Sequence, residues 1–136
     1  MRHLLPLSLI SLLSACALPP LPPENPQMAW IDLYTQTGRL VMAERLDGKR
    51  LDDGRYFQVT PGPHTLLIRF DYEVTFGARW NDPQYRTCYL RVEYPDFKAG
   101  QRYRLEGWVL GISPEARLHD ASGAIVGDDN QQSCLY

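Results

Sequence analysis

Strict alternation of apolar and polar side chains over ten residues most limits what this chain can fold into. Between Thr65 and Val74 every second residue is apolar, and Leu67 alone breaks the polar side of the pattern. The apolar set consists of Leu66, Ile68, Phe70, Tyr72 and Val74. A strand places such a set on one face, whereas a helix would distribute it around its circumference. We therefore predict a half-buried strand over Thr65–Val74.

Other segments repeat this pattern, and glycine-containing turns such as Ser122-Gly123 separate them. The apolar positions of two later segments are Cys88, Leu90, Val92 and Tyr94, then Tyr103, Leu105, Gly107 and Val109. Shorter strand candidates are Ala29–Thr35, Arg39–Leu46, Arg55–Val59, Ala116–His119 and Ala124–Val126. After the first 15 residues no window has a convincing helical period. The pattern predicts eight strands in an antiparallel all-β sandwich or small barrel-like sandwich, without their order.

An apolar run from Leu4 to Leu13 ends in Ser14, Ala15 and Cys16. It is too short to span a membrane as a helix, which takes roughly 20 residues. The order of a leucine, two small residues and a cysteine resembles the lipobox of bacterial lipoproteins. The resemblance implies that residues 1–15 are a signal peptide and that Cys16 is lipidated. The alternative is an ordinary secretory signal in which Cys16 has no role.

The residue after the cysteine is Ala17 rather than an aspartate retention signal, so we expect anchoring on the periplasmic face of the outer membrane, with the inner membrane and the cell surface as alternatives. Residues 16–27 are rich in proline and predict a semi-rigid polyproline II spacer between lipid and domain. Residues 28–136 suit one β-sandwich domain. No basic run occurs and lysine appears only at Lys49 and Lys98, which disfavours nucleic acid as a partner.

With Cys16 assigned to lipid, Cys88 and Cys134 remain, in an oxidising compartment. We expect a disulfide between them, which would fix the C-terminus. The alternative is a redox or metal pair. It is disfavoured because the two cysteines lie far apart and not in a Cys-x-x-Cys motif.

The run from Asp47-Gly48-Lys49 to Pro61-Gly62-Pro63-His64, followed by the alternating strand, resembles PEGA-type β-domains of small bacterial envelope lipoproteins. The resemblance covers about 30 residues well and encodes turns between strands, not a reaction centre. It implies an immunoglobulin- or transthyretin-like sandwich that acts as an envelope module without known chemistry. Fold transfers better than function in such a comparison.

Candidate catalytic and metal-binding residues are few. His64 is interpreted as bonding the backbone of its proline-rich turn, with general base or metal ligand as the alternative. His119 is expected to be an exposed surface histidine. The residues Asp128, Asp129 and Asn130 predict a solvated acidic turn, or less well a calcium loop. No nucleophile motif, zinc motif or phosphate-binding loop occurs, so we expect no enzyme, no cofactor and no metal.

The segment from Asp71 to Tyr85 combines aromatic and polar side chains and contains the loop-forming Gly77 and Pro83. Its candidate binding residues are Phe76, Arg79, Trp80, Asp82 and Tyr85. Such a mixture suits an envelope protein partner or, as the alternative, carbohydrate or peptidoglycan. The competing interpretation is that Phe76 and Trp80 complete the core. Trp108 is a second candidate for an exposed contact.

Overall fold

The computed structural model describes residues 17–74 and 83–135, and the described chain is all-β. Its strands are β1 (Ala29–Thr35), β2 (Leu40–Leu46), β3 (Lys49–Arg50), β4 (Tyr56–Val59), β5 (Gly62–Val74), β6 (Gln84–Phe97), β7 (Arg102–Leu110), β8 (Ser113–His119) and β9 (Ile125–Leu135). The predicted all-β sandwich class is confirmed. The two-residue strand β3 was not predicted, and β6 and β9 are much longer than their alternating segments.

The strands form one sheet in the order β3-β2-β5-β6-β9-β8-β7-β1-β4. All neighbouring strands pair antiparallel, as predicted, except β1 and β7, which run parallel from Trp30–Arg102 to Thr35–Gly107. The sheet is therefore mixed. The loop before the edge strand β4 approaches β2 near the other edge, since the Ala43 N–H donates to the Gly54 carbonyl at 2.8 Å.

The long strand β9 belongs to both layers of the sandwich. Its first half pairs with β8, where Gly127 lies opposite Leu118, and its second half pairs with β6, where Cys134 lies opposite Cys88. Register shifts occur in both pairings. One layer therefore contains β2, β5, β6 and the end of β9, and the other contains β4, β1, β7, β8 and the start of β9.

The core lies between these layers, and β5 supplies one side of it. All five apolar residues of the Thr65–Val74 pattern are buried, with exposures between 0% and 8%. The opposite layer approaches closely at Gly107, where an added Cβ would lie 3.2 Å from the Phe70 ring. Alternation in the sequence thus identified the buried face correctly.

The predicted disulfide between Cys88 and Cys134 is confirmed. The two sulfur atoms are 2.04 Å apart and the two Cα atoms are 4.0 Å apart. Both cysteines lie directly opposite each other in the β6–β9 ladder. The bond therefore fastens the last strand to the centre of the sheet.

Asp128, Asp129 and Asn130 belong to β9, so the prediction of a solvated acidic turn is wrong. Asp129 Oδ1 accepts a hydrogen bond from the Ala116 N–H at 2.7 Å, and its other carboxylate oxygen accepts one from Gln132 at 2.7 Å. Pairing with neighbouring strands has overridden the turn preference of these residues.

The proline-rich segment from Ala17 to Gln27, which we call the strap, lies against the domain. Its Pro19 carbonyl accepts a hydrogen bond from Arg55 Nη1 at 2.9 Å, and its Glu24 forms an ion pair with Arg102. The Asn25 N–H reaches Gln58 Oε1 at 3.5 Å. From Pro19 onward the segment predicted as a semi-rigid spacer is thus in contact with the domain, through side chains on the β1, β4 and β7 side of the sheet.

Candidate functional site

Of the five predicted binding residues, the structure places one. Tyr85 lies in β6 and is 75% exposed. The other four lie outside the described residues: Phe76, Arg79, Trp80 and Asp82. They belong to the chain segment that joins β5 to β6. The surroundings of Tyr85 therefore show at which end of the sandwich β5 ends and β6 begins.

The β5–β6 hairpin extends beyond both of its neighbours. Its ladder continues to the pair Val74–Gln84. In contrast, β2 begins at Leu40, opposite Asp71, and β9 ends at Leu135, opposite residue 87. Among the strands that the structure describes, β5 and β6 therefore extend past the ends of β2 and β9.

The base of the hairpin is packed into the fold. Tyr72 is 1% exposed, and its hydroxyl donates to the Ile112 carbonyl at 3.0 Å. Ile112 follows Gly111, whose φ of 65° forms the turn between β7 and β8. The hydrogen bond thus holds that turn against the base of the hairpin.

Exposed apolar side chains are concentrated at this end of the molecule. Five of the nine large apolar side chains that are exposed in the described part of the chain lie here. They are Leu40, Tyr85, Leu110, Ile112 and Leu135, and we call them the hairpin-end surface. Residues directly opposite in antiparallel strands share a face of the sheet. The register therefore places Leu40, Asp71, Thr87 and Leu135 in one outward row.

An ion pair lies within this surface. Arg69 Nη2 lies 2.8 Å from Asp71 Oδ2, and Arg69 Nε donates to Asp71 Oδ1 at 3.1 Å. The hydrogen bond to Asp71, aided by its charge, raises the pKa of Arg69 above the ordinary guanidinium value. The outward row therefore has polar groups, Asp71 and Thr87, between its two apolar ends.

Sequence reasoning identified Tyr85 but missed the other four residues of the hairpin-end surface. A signal was present in the turn Leu110-Gly111-Ile112, where two large apolar residues flank a glycine. Turns are usually polar. Nothing local to Leu40 or Leu135 indicated that both would lie beside the hairpin, because this follows from the register of β2 and β9.

A shallow hollow of about 250 Å³ lies lower on the same outer face. It is lined by Leu67, Tyr89, Arg91, Gln131 and Ser133. Tyr89 lies opposite Arg69 on one side and Ser133 on the other, one row from the hairpin-end surface. An aromatic ring beside amide, hydroxyl and guanidinium groups offers a flat apolar face and directional hydrogen bonds.

His64 contacts the backbone of its own turn, as the structural interpretation predicted, and also reaches a second turn. Its Nδ1 is 2.6 Å from Asp47 Oδ2, and its Nε2 is 2.8 Å from the Thr60 carbonyl and 3.0 Å from Thr60 Oγ1. This resembles a hydroxyl–histidine–carboxylate triad. However, the residue after Thr60 is Pro61, which has no N–H to stabilise an oxyanion. Nε2 is also within hydrogen-bond distance of a carbonyl, so it is not free to take a proton from the hydroxyl.

Asp47 forms the other half of this connection. It has a φ of 49° and precedes Gly48, with a φ of 81°, in the turn between β2 and β3. Two consecutive positive φ values are typical of a type I′ hairpin turn. Burial opposes ionisation of Asp47, but hydrogen bonds from the Thr65 N–H and His64 outweigh it and lower the pKa of the carboxyl. These contacts explain the Asp-Gly and Pro-Gly-x-His pattern. The contact between Asp47 and His64, which we call the fastening, joins the two turns.

A groove of about 580 Å³ adjoins this fastening, in the fork where β9 leaves β6. Its carboxylates are Asp47, Glu93 and Asp128. Within residues 17–74 and 83–135, no group of three or more histidine, cysteine or carboxylate side chains could hold a metal ion. The groove is a polar depression beside the turns.

His119 and Trp108 are less accessible than predicted. The His119 side chain is 14% exposed, and its Nε2 lies 3.4 Å from a Glu106 carboxylate oxygen. Trp108 is half-buried because the Arg117 guanidinium lies 4.2 Å from its ring centroid. Stacking of arginine on aromatic rings covers the outer face of β7 and β8. His119 is therefore partly covered and not the expected exposed surface histidine, and Trp108, the second candidate for an exposed contact, is half-buried.

Comparison with known proteins finds no match: no family model, no curated protein and no solved structure is similar to this chain. The resemblance to PEGA-type domains stays a prediction. Within the described ranges, no helix has the length and apolar character needed to cross a membrane.

Proposed function

We propose that this protein is a lipid-anchored envelope lipoprotein whose β-sandwich acts as a non-catalytic module that binds a protein partner. The observation that carries the proposal is the hairpin-end surface. Five large apolar side chains are exposed at the end of the sandwich from which the β5–β6 hairpin extends, and the base of that hairpin is buried. Large apolar side chains that are exposed at one end of a molecule mark a candidate protein interaction site.

The anchor part of the proposal rests on the sequence. Leu13 to Cys16 resembles a lipobox, and Ala17 favours the periplasmic face of the outer membrane. Lipidation at Cys16 would hold the module at a membrane surface, where a partner needs to be captured in only two dimensions. The disulfide is compatible with that oxidising compartment.

Energetic considerations favour Tyr85 as the principal contact. A tyrosine offers a large contact area at a small entropic cost, and aromatic residues are enriched among interface hot spots. Truncation of such an anchor typically costs about 2 kcal/mol, which is roughly 30-fold in affinity. Phe76, Arg79, Trp80 and Asp82 are proposed to add to the same site, because they join the two strands of this hairpin.

Carbohydrate or peptidoglycan is the second candidate ligand. The Tyr89 hollow, with its guanidinium, amide and hydroxyl groups, favours it specifically. The two candidates use different parts of the outer face, so single substitutions separate them. Tyr85→Ser affects the hairpin-end surface, and Tyr89→Ala affects the hollow.

The experiment combines affinity capture from crosslinked envelopes with sedimentation of the protein on purified peptidoglycan. We expect Tyr85→Ser and Leu135→Ser to reduce capture of a specific protein at least tenfold. Ile125→Ser is the matched control, because Ile125 is 55% exposed but lies at the opposite end of β8. Retention on peptidoglycan that depends on Tyr89 and not on Tyr85 would favour the second candidate and contradict the first.

A further inference from the structure

The strap is the feature from which a further inference follows, because it determines how far the domain can lie from its anchor. The inference rests on the proposed lipidation of Cys16. Only Cys16, Ala17 and Leu18 precede Pro19, whose carbonyl is bonded to Arg55 Nη1 at 2.9 Å. A fully extended chain spans at most about 3.6 Å per residue, so Pro19 lies within roughly 11 Å of Cys16.

A free polyproline spacer would give a different geometry. Twelve residues at about 3.1 Å each would separate the domain from the lipid by roughly 37 Å. The docked strap removes most of that length, because it turns back along the β1 and β4 side of the sheet. The domain is therefore held at the membrane surface.

Arg55 is well suited to hold the strap in this position. Asp53 accepts three hydrogen bonds from the Arg55 guanidinium, at 2.6, 2.9 and 3.1 Å. These bonds fix the plane of the guanidinium and leave Nη1 directed at the Pro19 carbonyl. The Glu24–Arg102 ion pair fixes the strap again five residues later.

The strap also presents apolar side chains beside the anchor. Leu18 is 78% exposed and Leu21 is 51% exposed. Neither contacts the core, and each lies within a few residues of the proposed lipid. Burial of a leucine side chain in an apolar environment is favourable, so insertion at the bilayer interface would stabilise this position of the strap.

We propose that the strap face, which consists of the strap with Arg55 beside it, lies directly on the phospholipid surface, with Leu18 and Leu21 inserted at the interface. The domain then rests on its β4 side. Tyr85 and Leu135 lie on β6 and β9 in the other layer of the sandwich, so this part of the hairpin-end surface stays open to a partner.

The test measures the distance of the domain from the bilayer. Lipidated protein purified from host membranes is reconstituted into phosphatidylcholine–phosphatidylglycerol vesicles and recovered by flotation in high salt. A fluorophore at Asp52→Cys, near the strap, is compared with one at Tyr85→Cys, and energy transfer to labelled headgroups is measured. We expect strong transfer from position 52 and at least threefold weaker transfer from position 85.

A second variant keeps the test independent of label position. Arg55→Ala combined with Glu24→Gln removes two attachments of the strap. It should move position 52 away from the headgroups by roughly 10–20 Å, because the released strap again acts as a spacer. Arg50→Ala is the matched control, since Arg50 is exposed and lies outside the strap contacts.

The outcomes separate this inference from the anchor itself. Protein that does not float with the vesicles contradicts lipidation at Cys16. Protein that floats, but shows equally weak transfer from both positions and no response to the Arg55 and Glu24 substitutions, overturns the proposed strap–membrane contact and leaves the anchor intact.

Discussion

At the scale of single residues, the Asp47–His64 fastening links local sequence to stability. One carboxylate caps the Thr65 N–H and contacts the imidazole, and the imidazole reaches the Thr60 carbonyl. The pattern of turn residues was readable from the sequence, and the role of His64 at its turn was predicted from the proline-rich context. The partnership with Asp47 was not predicted, because the two residues meet only when β2 pairs with β5.

Asp47→Asn should remove the pH dependence that the Asp47 carboxylate gives to the unfolding free energy. The pKa of Asp47 is lowered in the folded state from its ordinary value of 3.8, so its charge stabilises the fold above that pH. The contribution is lost as the pH falls through the lower, folded-state pKa. Because the carboxylate is partly exposed, we expect about 0.5–1 kcal/mol at neutral pH.

Thermal unfolding of wild type and variant between roughly pH 2 and pH 7 measures this difference. The two curves should converge at low pH. Asp128→Asn is the control, because it removes an exposed carboxylate from the same groove. A difference between wild type and Asp47→Asn that persists at the lowest pH would contradict the electrostatic explanation.

Gly107 is a second residue whose identity the fold requires. A Cβ there would lie 3.2 and 3.3 Å from two Phe70 ring atoms, so Gly107→Ala should destabilise by about 1–3 kcal/mol through overpacking. Gly127→Ala is the matched control, since its Cβ would meet neighbours at 3.6 Å or more. Urea unfolding provides both values. If both substitutions lowered the free energy of unfolding equally, the close approach of Gly107 to Phe70 would not explain the loss.

At the scale of elements, alternation predicted the strands that have one buried and one exposed face. β1 has the predicted bounds, and the apolar positions of β5 are those that the structure buries. The end of β9 could not be predicted in this way, because residues 128–133 are all polar. Their strand conformation depends on pairing with β6 and on the disulfide, which are long-range contacts.

Loss of the disulfide should therefore act on β9 first. Reduction, or Cys134→Ser, should lower the unfolding free energy by about 2–5 kcal/mol, the usual cost in a small secreted domain. Hydrogen exchange should become faster in the second half of β9 and change least in β7. Unfolding midpoints that coincide in the oxidised and reduced forms would contradict this assignment.

At the scale of the whole molecule, function depends on features that local patterns do not encode. The sheet order, the parallel β1–β7 pair and the strap contacts all join parts of the chain that are distant in sequence. They place Tyr85 and Leu135 in one layer and the strap contact at Arg102 in the other. Tyr85 was predicted from its aromatic–polar context, whereas Leu40, Ile112 and Leu135 become part of a site only through this topology.

The central claim is that the projecting hairpin, not the rest of the exposed surface, contacts a protein partner. Site-specific photocrosslinking in intact cells tests it most directly, with the crosslinking amino acid placed at position 85 or at position 125. We predict one discrete crosslinked protein from position 85, at least tenfold weaker after Leu135→Ser, and no such product from position 125. The same product from both positions, or none from position 85 in correctly localised protein, would contradict the claim.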